Sequence, residues 1–425
     1  MTSPQTQSEI DEQNDPPLLR DNPFSPFRYP VFRAIWLANV FSNMGSMMQS
    51  VAAAWLMTEL THSKQLIALV SASVSTPILL LGVIAGAIAD NYDRRRVMMA
   101  AQFGMLLVST SLALLTWLDL INPFLLLACT ICVGIGTALN SPAWQASVRQ
   151  QVERKELPHA IALNSMAFNI ARSIGPALGG LLISLWDISL AFALNALSYV
   201  ALICVLLWWK TEPRKAERRP ILPAVAVGLR FCFSSRPIRS ILMRGWVVGV
   251  SLAAFQALLP AIVRQQLDGD EVKYGLLLGA FGIGSIIAAP FVRPLRLRIK
   301  LNGILALSAL LLVVVFTVIA EVHSVLAAVP AAFGAGTVWV AALTSLNTAF
   351  QLRAPNEILG RCMSIYQSVT IGGMAMGAWT WGMVADWHGI PFALHVASAL
   401  LVGALVLMHF LAPLPQPGEG IIKDW

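Results

Sequence analysis

Apolar runs long enough to cross a membrane constrain this chain more than any other feature. About 20 helical residues traverse a hydrocarbon core roughly 30 Å thick, and runs of that length recur from Val31 to Leu411. In lipid a spanning segment has to satisfy its own backbone polar groups, so these runs read as helices. They fall near residues 31–57, 66–89, 97–118, 123–144, 160–185 and 190–209, then 241–263, 274–292, 301–320, 325–350, 363–385 and 392–411. Composition agrees: 57% of residues are hydrophobic and only 12% charged, with a mean hydropathy of +0.69, against about a quarter charged in soluble domains. The expected class is an all-α membrane protein of twelve transmembrane helices.

Lys and Arg orient the spans, because positively charged loops are retained on the cytoplasmic side. With the N-terminus inside, every Lys and Arg falls in an inner segment except Lys64, Arg264, Lys273 and the intramembrane Arg172. The same asymmetry accounts for the net charge of +7, so the basic balance does not point to nucleic acid. The first 27 residues are polar and carry no apolar core ahead of a cleavage site, which reads as a tail and not a signal peptide. Cys129 and Cys132 form a Cys-x-x-Cys inside the fourth span, without a second pair or a nearby His, so neither a disulfide framework nor a zinc site is expected.

The densest basic stretch separates the sixth and seventh spans. Across it, Phe192-Ala193-Leu194-Asn195-Ala196-Leu197-Ser198 in span six reappears as Phe392-Ala393-Leu394-His395-Val396-Ala397-Ser398 in span twelve. The chain therefore divides into a cytoplasmic tail (1–27), a six-helix bundle (28–209), a central cytoplasmic loop (210–238), a second six-helix bundle (239–412) and a cytoplasmic tail (413–425). Within the loop, Val225 to Phe233 is amphipathic and suits either the inner leaflet or a plain linker. Internal repeats about a shared axis, with the solute site near mid-membrane, are the usual build of secondary transporters.

After span two comes Gly86-Ala87-Ile88-Ala89-Asp90-Asn91-Tyr92-Asp93-Arg94-Arg95-Arg96. Gly86, Ala89, Asp90, Arg94 and Arg95 fall on the loop signature of the major facilitator superfamily, which this segment resembles, with Ile88, Asn91 and Asp93 as departures. Its Tyr-Asp-Arg-Arg-Arg form is similar to the branch of enterobactin exporters and macrolide-efflux proteins. The resemblance implies that Asp90 locks the inner gate against the start of span eleven, near Arg361. Span five carries Asn169-x-x-Arg172-Ser173-Ile174-Gly175-Pro176-Ala177-Leu178-Gly179-Gly180. Gly175, Pro176, Gly179 and Gly180 resemble the superfamily's antiporter signature, associated with exporters, although Ala171 replaces an earlier Gly. In a membrane bundle such small residues permit close helix packing.

Arg172 is the strongly charged side chain at mid-membrane, where burial is expensive and function is the default reading. Two roles are open: a bidentate hold on an anionic or oxygen-rich solute, or a structural arginine satisfied by carbonyls and Asn169. No Asp or Glu occupies the middle of a span, which disfavours a cation pump built on a buried carboxylate; Glu59, Asp90 and His395 remain as weak proton-carrier candidates. Asn39 and Asn43 share one face of span one, and Asn140, Gln256, Asn347 and Gln367 occupy spans four, seven, ten and eleven. The resemblance implies that several of these helices line a cavity, with Trp339, Trp379 and Tyr366 as amphipathic walls.

The leading expectation is a secondary transporter, working as a monomer in a bacterial-type inner membrane, that exports a small amphipathic solute such as a siderophore or drug, neutral or anionic, by alternating access. Exchange for protons is open, and import is the alternative. A polytopic enzyme is disfavoured by the lack of Gly-x-Ser-x-Gly, His-Glu-x-x-His, Walker loop or paired membrane aspartates. No cofactor is expected.

Overall fold

A computed structural model describes residues 24–210, 221–355 and 358–411, with the Asp90 side chain outside the description. The tails beyond them and Arg214, Lys215, Arg218 and Arg219 of the sequence's central basic cluster therefore lie outside it. Among the described residues there is no strand. Twelve α-helices run in order: α1 Pro30–Leu60, α2 Lys64–Asn91, α3 Arg94–Trp117, α4 Pro123–Ser147, α5 Leu157–Leu185, α6 Ile188–Trp208, α7 Ile221–Ser234, α8 Arg236–Ala261, α9 Glu271–Glu321, α10 Val325–Gln351, α11 Leu359–His388 and α12 Ile390–Leu411.

These are not one-to-one with the expected spans. The helix α7 is the amphipathic stretch of the central loop, and α9 contains spans eight and nine, joined at Lys300, whose φ of 59° and ψ of 178° break the helical path. By length and composition nine helices among the described residues suit a membrane crossing. That set counts the double-length α9 once and omits the short α7 together with α1 and α11, two of the more polar helices. The second bundle starts at Arg236, slightly ahead of the boundary at 239.

In the first half α1 packs on α5 and α6, α2 on α4, and α3 on α4 and α6; in the second, α8 packs on α11 and α12, and α9 on α10 and α12. The halves meet mainly through α2 with α11 and α5 with α9. Helix ends are closed by named groups. Asp93, one of the departures from the loop signature, caps α3 by accepting from Arg95 N (2.9 Å) and Arg96 N (3.3 Å). Arg94 Nη1 donates to Ala146 O (2.8 Å) at the end of α4, and Arg95 Nε donates to Leu206 O (2.6 Å) at the end of α6. Cations at helix C-termini satisfy orphan carbonyls and oppose the dipole. Arg244, counted in sequence among the inner-surface charges, is instead buried inside α8 and donates to Met408 O (3.1 Å) of α12. Its backbone acceptors compensate the desolvation that would otherwise expel it.

Close approach of helices depends on absent side chains. A Cβ on Gly336 of α10 would collide with Phe281 O of α9, and one on Gly284 with Phe333 O. By contrast Gly104 and Gly403 face open space. Gly336→Leu is expected to abolish recovery of folded protein, since forced overpacking costs on the order of 1–3 kcal/mol even where neighbours can shift. Gly403→Leu should leave the melting temperature of detergent-solubilised protein unchanged. Equal stability of the two variants would contradict this packing.

Candidate functional site: a central cavity with one arginine

Between the halves lies a cavity of about 340 Å³, lined from the first half by Gln49, Arg172, Pro176, Asn195 and Tyr199 among others, and from the second by Gln256, Tyr274 and Phe281. Among the described residues Arg172 is the one charged residue in the lining, and no carboxylate, His or Lys joins it there. Its guanidinium carbon stands 4.5 Å from the Trp339 ring centroid and 5.1 Å from that of Phe281, so a side chain of α5 reaches onto aromatics of α9 and α10. Phe281 in turn meets Trp339 edge-on at 5.8 Å and stacks on Phe255 at 5.8 Å. Cation–π contact partly replaces lost hydration. The structure gives Arg172 no ion pair or hydrogen bond among the described residues, so aromatic faces supply its contacts while its in-plane N–H donors stay available.

The signature glycines place this arginine. Gly175 and Gly179 meet Met47 and Met48 of α1, while Gly180 faces the Glu271 carbonyl and Gly275 the Pro176 carbonyl, both across the α5–α9 contact. Gly282, next to Phe281, abuts Ser173. These residues therefore set helix separation, and Pro176 also faces the cavity.

The remaining residues singled out in sequence scatter. Gln256 lines the cavity, and Trp339 holds Arg172 from behind it. Asn39, Asn43 and Asn140 are half-buried outside the lining, and Asn169 and Gln367 are exposed outside it. Asn347 pairs with Gln351 on its own helix. Tyr366 is buried against Phe350, with ring centroids 5.0 Å apart, and Trp379 is 46% exposed. Polar spacing reveals a shared helix face but not which way that face points, hence these misplacements. Sequence reading missed Gln49, Asn195, Tyr199 and Phe281 in the lining; Asn195 had surfaced only as part of the repeat.

At the end of the bundle away from the basic loops the two halves are tied together. Asp386 of α11 accepts from Ser63 Oγ (2.7 Å), Lys64 N (2.6 Å) and Gln65 N (3.0 Å), capping the N-terminus of α2 across the boundary. Gln265 Nε2 donates to His62 O (3.2 Å), Trp55 stacks on Tyr274 at 6.1 Å, and Arg264 lies over Trp55 at 5.5 Å. At the basic end, Gly86 approaches Ser364 and Gly228 of α7 packs on Ile365 and Arg361. The Asp90 side chain lies outside the described residues, so its expected contact with Arg361 is carried only by this neighbouring approach of α2 to α11.

The sequence matches the transmembrane secretion effector family over residues 21–420. The chain belongs to that family, within the major facilitator superfamily. It is 26% identical over 406 residues to the enterobactin exporter EntS of Escherichia coli (strain K12), covering 91% of this chain and 95% of the relative. It is 27% identical over 250 residues to the staphyloferrin A transporter of Staphylococcus aureus (strain NCTC 8325 / PS 47), covering 58% of this chain and 62% of that protein's length. Among solved structures, the nucleoside transporter NupG superposes with a TM-score of 0.71 at 9% identity, covering 89% of this chain and 98% of that one. A bacterial homologue of the lysosomal transporter Spinster, inward-facing and occupied, gives 0.73 at 14%, covering 91% and 97%. The fold is thus the major facilitator fold of twelve helices in two pseudo-repeats, and the chain is a multi-pass membrane transporter of organic solutes, not an enzyme.

Asp386→Ala would leave the first N–H groups of α2 poorly satisfied, a loss of about 1–2 kcal/mol for states in which this end is closed. In a variant freed of the five native cysteines, Ser50→Cys in the cavity wall should react roughly 5–30 times faster with an impermeant thiol reagent applied from that side. An unchanged rate would show that the cap does not hold the closure.

Proposed function

We propose that this transporter exports a compact amphipathic organic anion, of the metal-free siderophore or acidic drug kind, from the cytoplasm across a bacterial-type inner membrane by alternating access. The observation that carries the reading is Arg172: among the described residues it is the one cation in a lining without a carboxylate, held on aromatic faces with its donors unclaimed. A guanidinium in a low-dielectric site binds oxyanions through short paired hydrogen bonds. Apolar neighbours such as Met47, Val74, Val133 and Met374 suit the rest of an amphipathic solute. Supporting the direction are the Gly175–Gly180 signature and the likeness over most of the chain to an enterobactin exporter.

The cytoplasmic placement of both tails and the central loop follows from the basic segments. Asn39, Asn43 and Asn169 lie on the inner half of their helices, outside the present lining, and serve the solute's entry path in this reading. Among the described residues no carboxylate lines the cavity, so in this reading a coupling proton is carried outside that lining. Import is the second reading, kept open because the staphyloferrin relative is described only as a transporter.

The test is uptake into inside-out vesicles of metal-free carboxylate and catecholate siderophores and of acidic drugs, with and without a proton gradient. Arg172→Gln should reduce uptake of the anionic substrates at least tenfold, the loss of one charge-assisted contact of about 1.5–3 kcal/mol, with Arg172→Lys intermediate. Undiminished uptake by Arg172→Gln would overturn the anion reading; uptake only in right-side-out vesicles would reverse the direction.

A further inference from the structure

The wall of the cavity contributed by the first half holds a second polar group that the transport reading leaves unused. Gln49 of α1 and Asn195 and Tyr199 of α6 all line the cavity, and Ser109 of α3 braces them from behind. Gln49 Oε1 accepts from Ser109 Oγ at 2.7 Å and from Asn195 Nδ2 at 2.8 Å. Asn195 Nδ2 also lies 3.0 Å from the Tyr199 hydroxyl, and Ser198 Oγ donates to Asn195 O at 2.7 Å. Gly45 makes this possible, because a Cβ there would stand 2.6 Å from Asn195 Oδ1. Gln49 is 5% exposed and Asn195 fully buried, so the network is fixed by packing as well as by hydrogen bonds.

Both lone pairs of the Gln49 carbonyl are thereby engaged. Its NH2 is the part of the amide without a protein acceptor among the described residues, and it belongs to a side chain lining the cavity. Rotating the amide would break two bonds at once, so the donor has a fixed direction. The lining hydroxyls of Ser50, Thr130 and Thr137 differ, since each donates back to a carbonyl of its own helix. Gln256 also lines the cavity but has no such anchor among the described residues.

We infer that Gln49 is a specificity-determining donor, and that the transported anion carries a neutral acceptor oxygen, an amide or ester carbonyl, apart from its acidic group. This rests on Arg172 taking the acidic group, and it narrows the solute class from organic anions in general to acyl-bearing ones. The reasoning is one of unmet pairing. A site built to donate a hydrogen bond discriminates against an analogue that lacks the acceptor, because the desolvated donor is then left unpaired.

The experiment uses the full-length protein in lipid nanodiscs and calorimetric binding of three matched probes. N-benzoylglycine has a carboxylate and an amide carbonyl, 4-phenylbutyrate has the carboxylate alone, and N-benzoylglycinamide has the carbonyl without the charge. Wild type is expected to prefer N-benzoylglycine over 4-phenylbutyrate by roughly three- to tenfold, the worth of one hydrogen bond. Gln49→Met should erase that preference while keeping 4-phenylbutyrate affinity within about twofold. Ser109→Ala, which releases one anchor of the Gln49 oxygen without removing the donor, should reduce the preference in part and serves if Gln49→Met does not fold. Arg172→Gln should weaken both carboxylates at least tenfold and leave the uncharged probe unaffected. A preference that survives Gln49→Met overturns the inference, as does equal loss of both carboxylates in that variant, the mark of a merely structural amide. Wild type that binds none of the probes overturns it together with the Arg172 reading. Arg172→Gln that changes neither carboxylate, while Gln49→Met still erases the preference, overturns the Arg172 reading alone.

Discussion

The arrangement of this protein depends on two places where a side chain is missing. Gly282 lets α9 lie against α5 at Ser173, and Gly336 lets α10 lie against the Phe281 carbonyl. Their combined effect is to bring Arg172, Phe281 and Trp339 from three helices to one point. In lipid the hydrophobic effect does not press helices together, so close backbone approach and dispersion contact have to do it. The site is thus a product of packing geometry first and of polar chemistry second. A larger residue at either glycine would separate the aromatic faces from the cation they hold.

The same economy operates at the helix ends. A membrane bundle exposes orphan carbonyls and amides at the ends of its helices, and here many are answered by charged side chains from neighbouring elements. Arg94 and Arg95 cap α4 and α6, Arg244 reaches α12, and Asp386 caps α2 from the other half. The first three join helices within a half and are compatible with each half moving as a body. The last joins the halves, so it belongs to one conformation and has to break in another.

Much of the fold was legible in the sequence because the hydrocarbon core imposes a length and a polarity on every span. Arg172 was legible for the same reason, as a charge where lipid penalises charge. The glycines of span five could be recognised, but their partners could not; Gly180 opposite Glu271 is a relation between helices far apart in the chain. Neutral polar residues were least readable. Asn39 and Asn347 fall outside the cavity lining whereas Gln49 and Asn195 fall within it, and all are ordinary amides on long helices. What separates them is helix rotation and depth, which spacing does not encode. The repeat misleads in the same way: Phe192 is fully buried, while its counterpart Phe392 is 48% exposed.

The carboxylate-free lining has an electrical consequence. With Arg172 unpaired among the described residues, their lining of the empty cavity carries a unit positive charge at mid-span, and an occupying monoanion would cancel it. The empty and loaded carriers would then respond differently to the membrane potential, which acts on a unit charge with about 2.3 kcal/mol per 100 mV across the full field. A group that alternates its exposure about the midplane feels only a part of that. Even so, the voltage would bear on the return of the empty protein and not on the step that carries the solute; because the full cycle still moves one negative charge with each monoanion, the potential would act on the cargo through the step in which the carrier is empty.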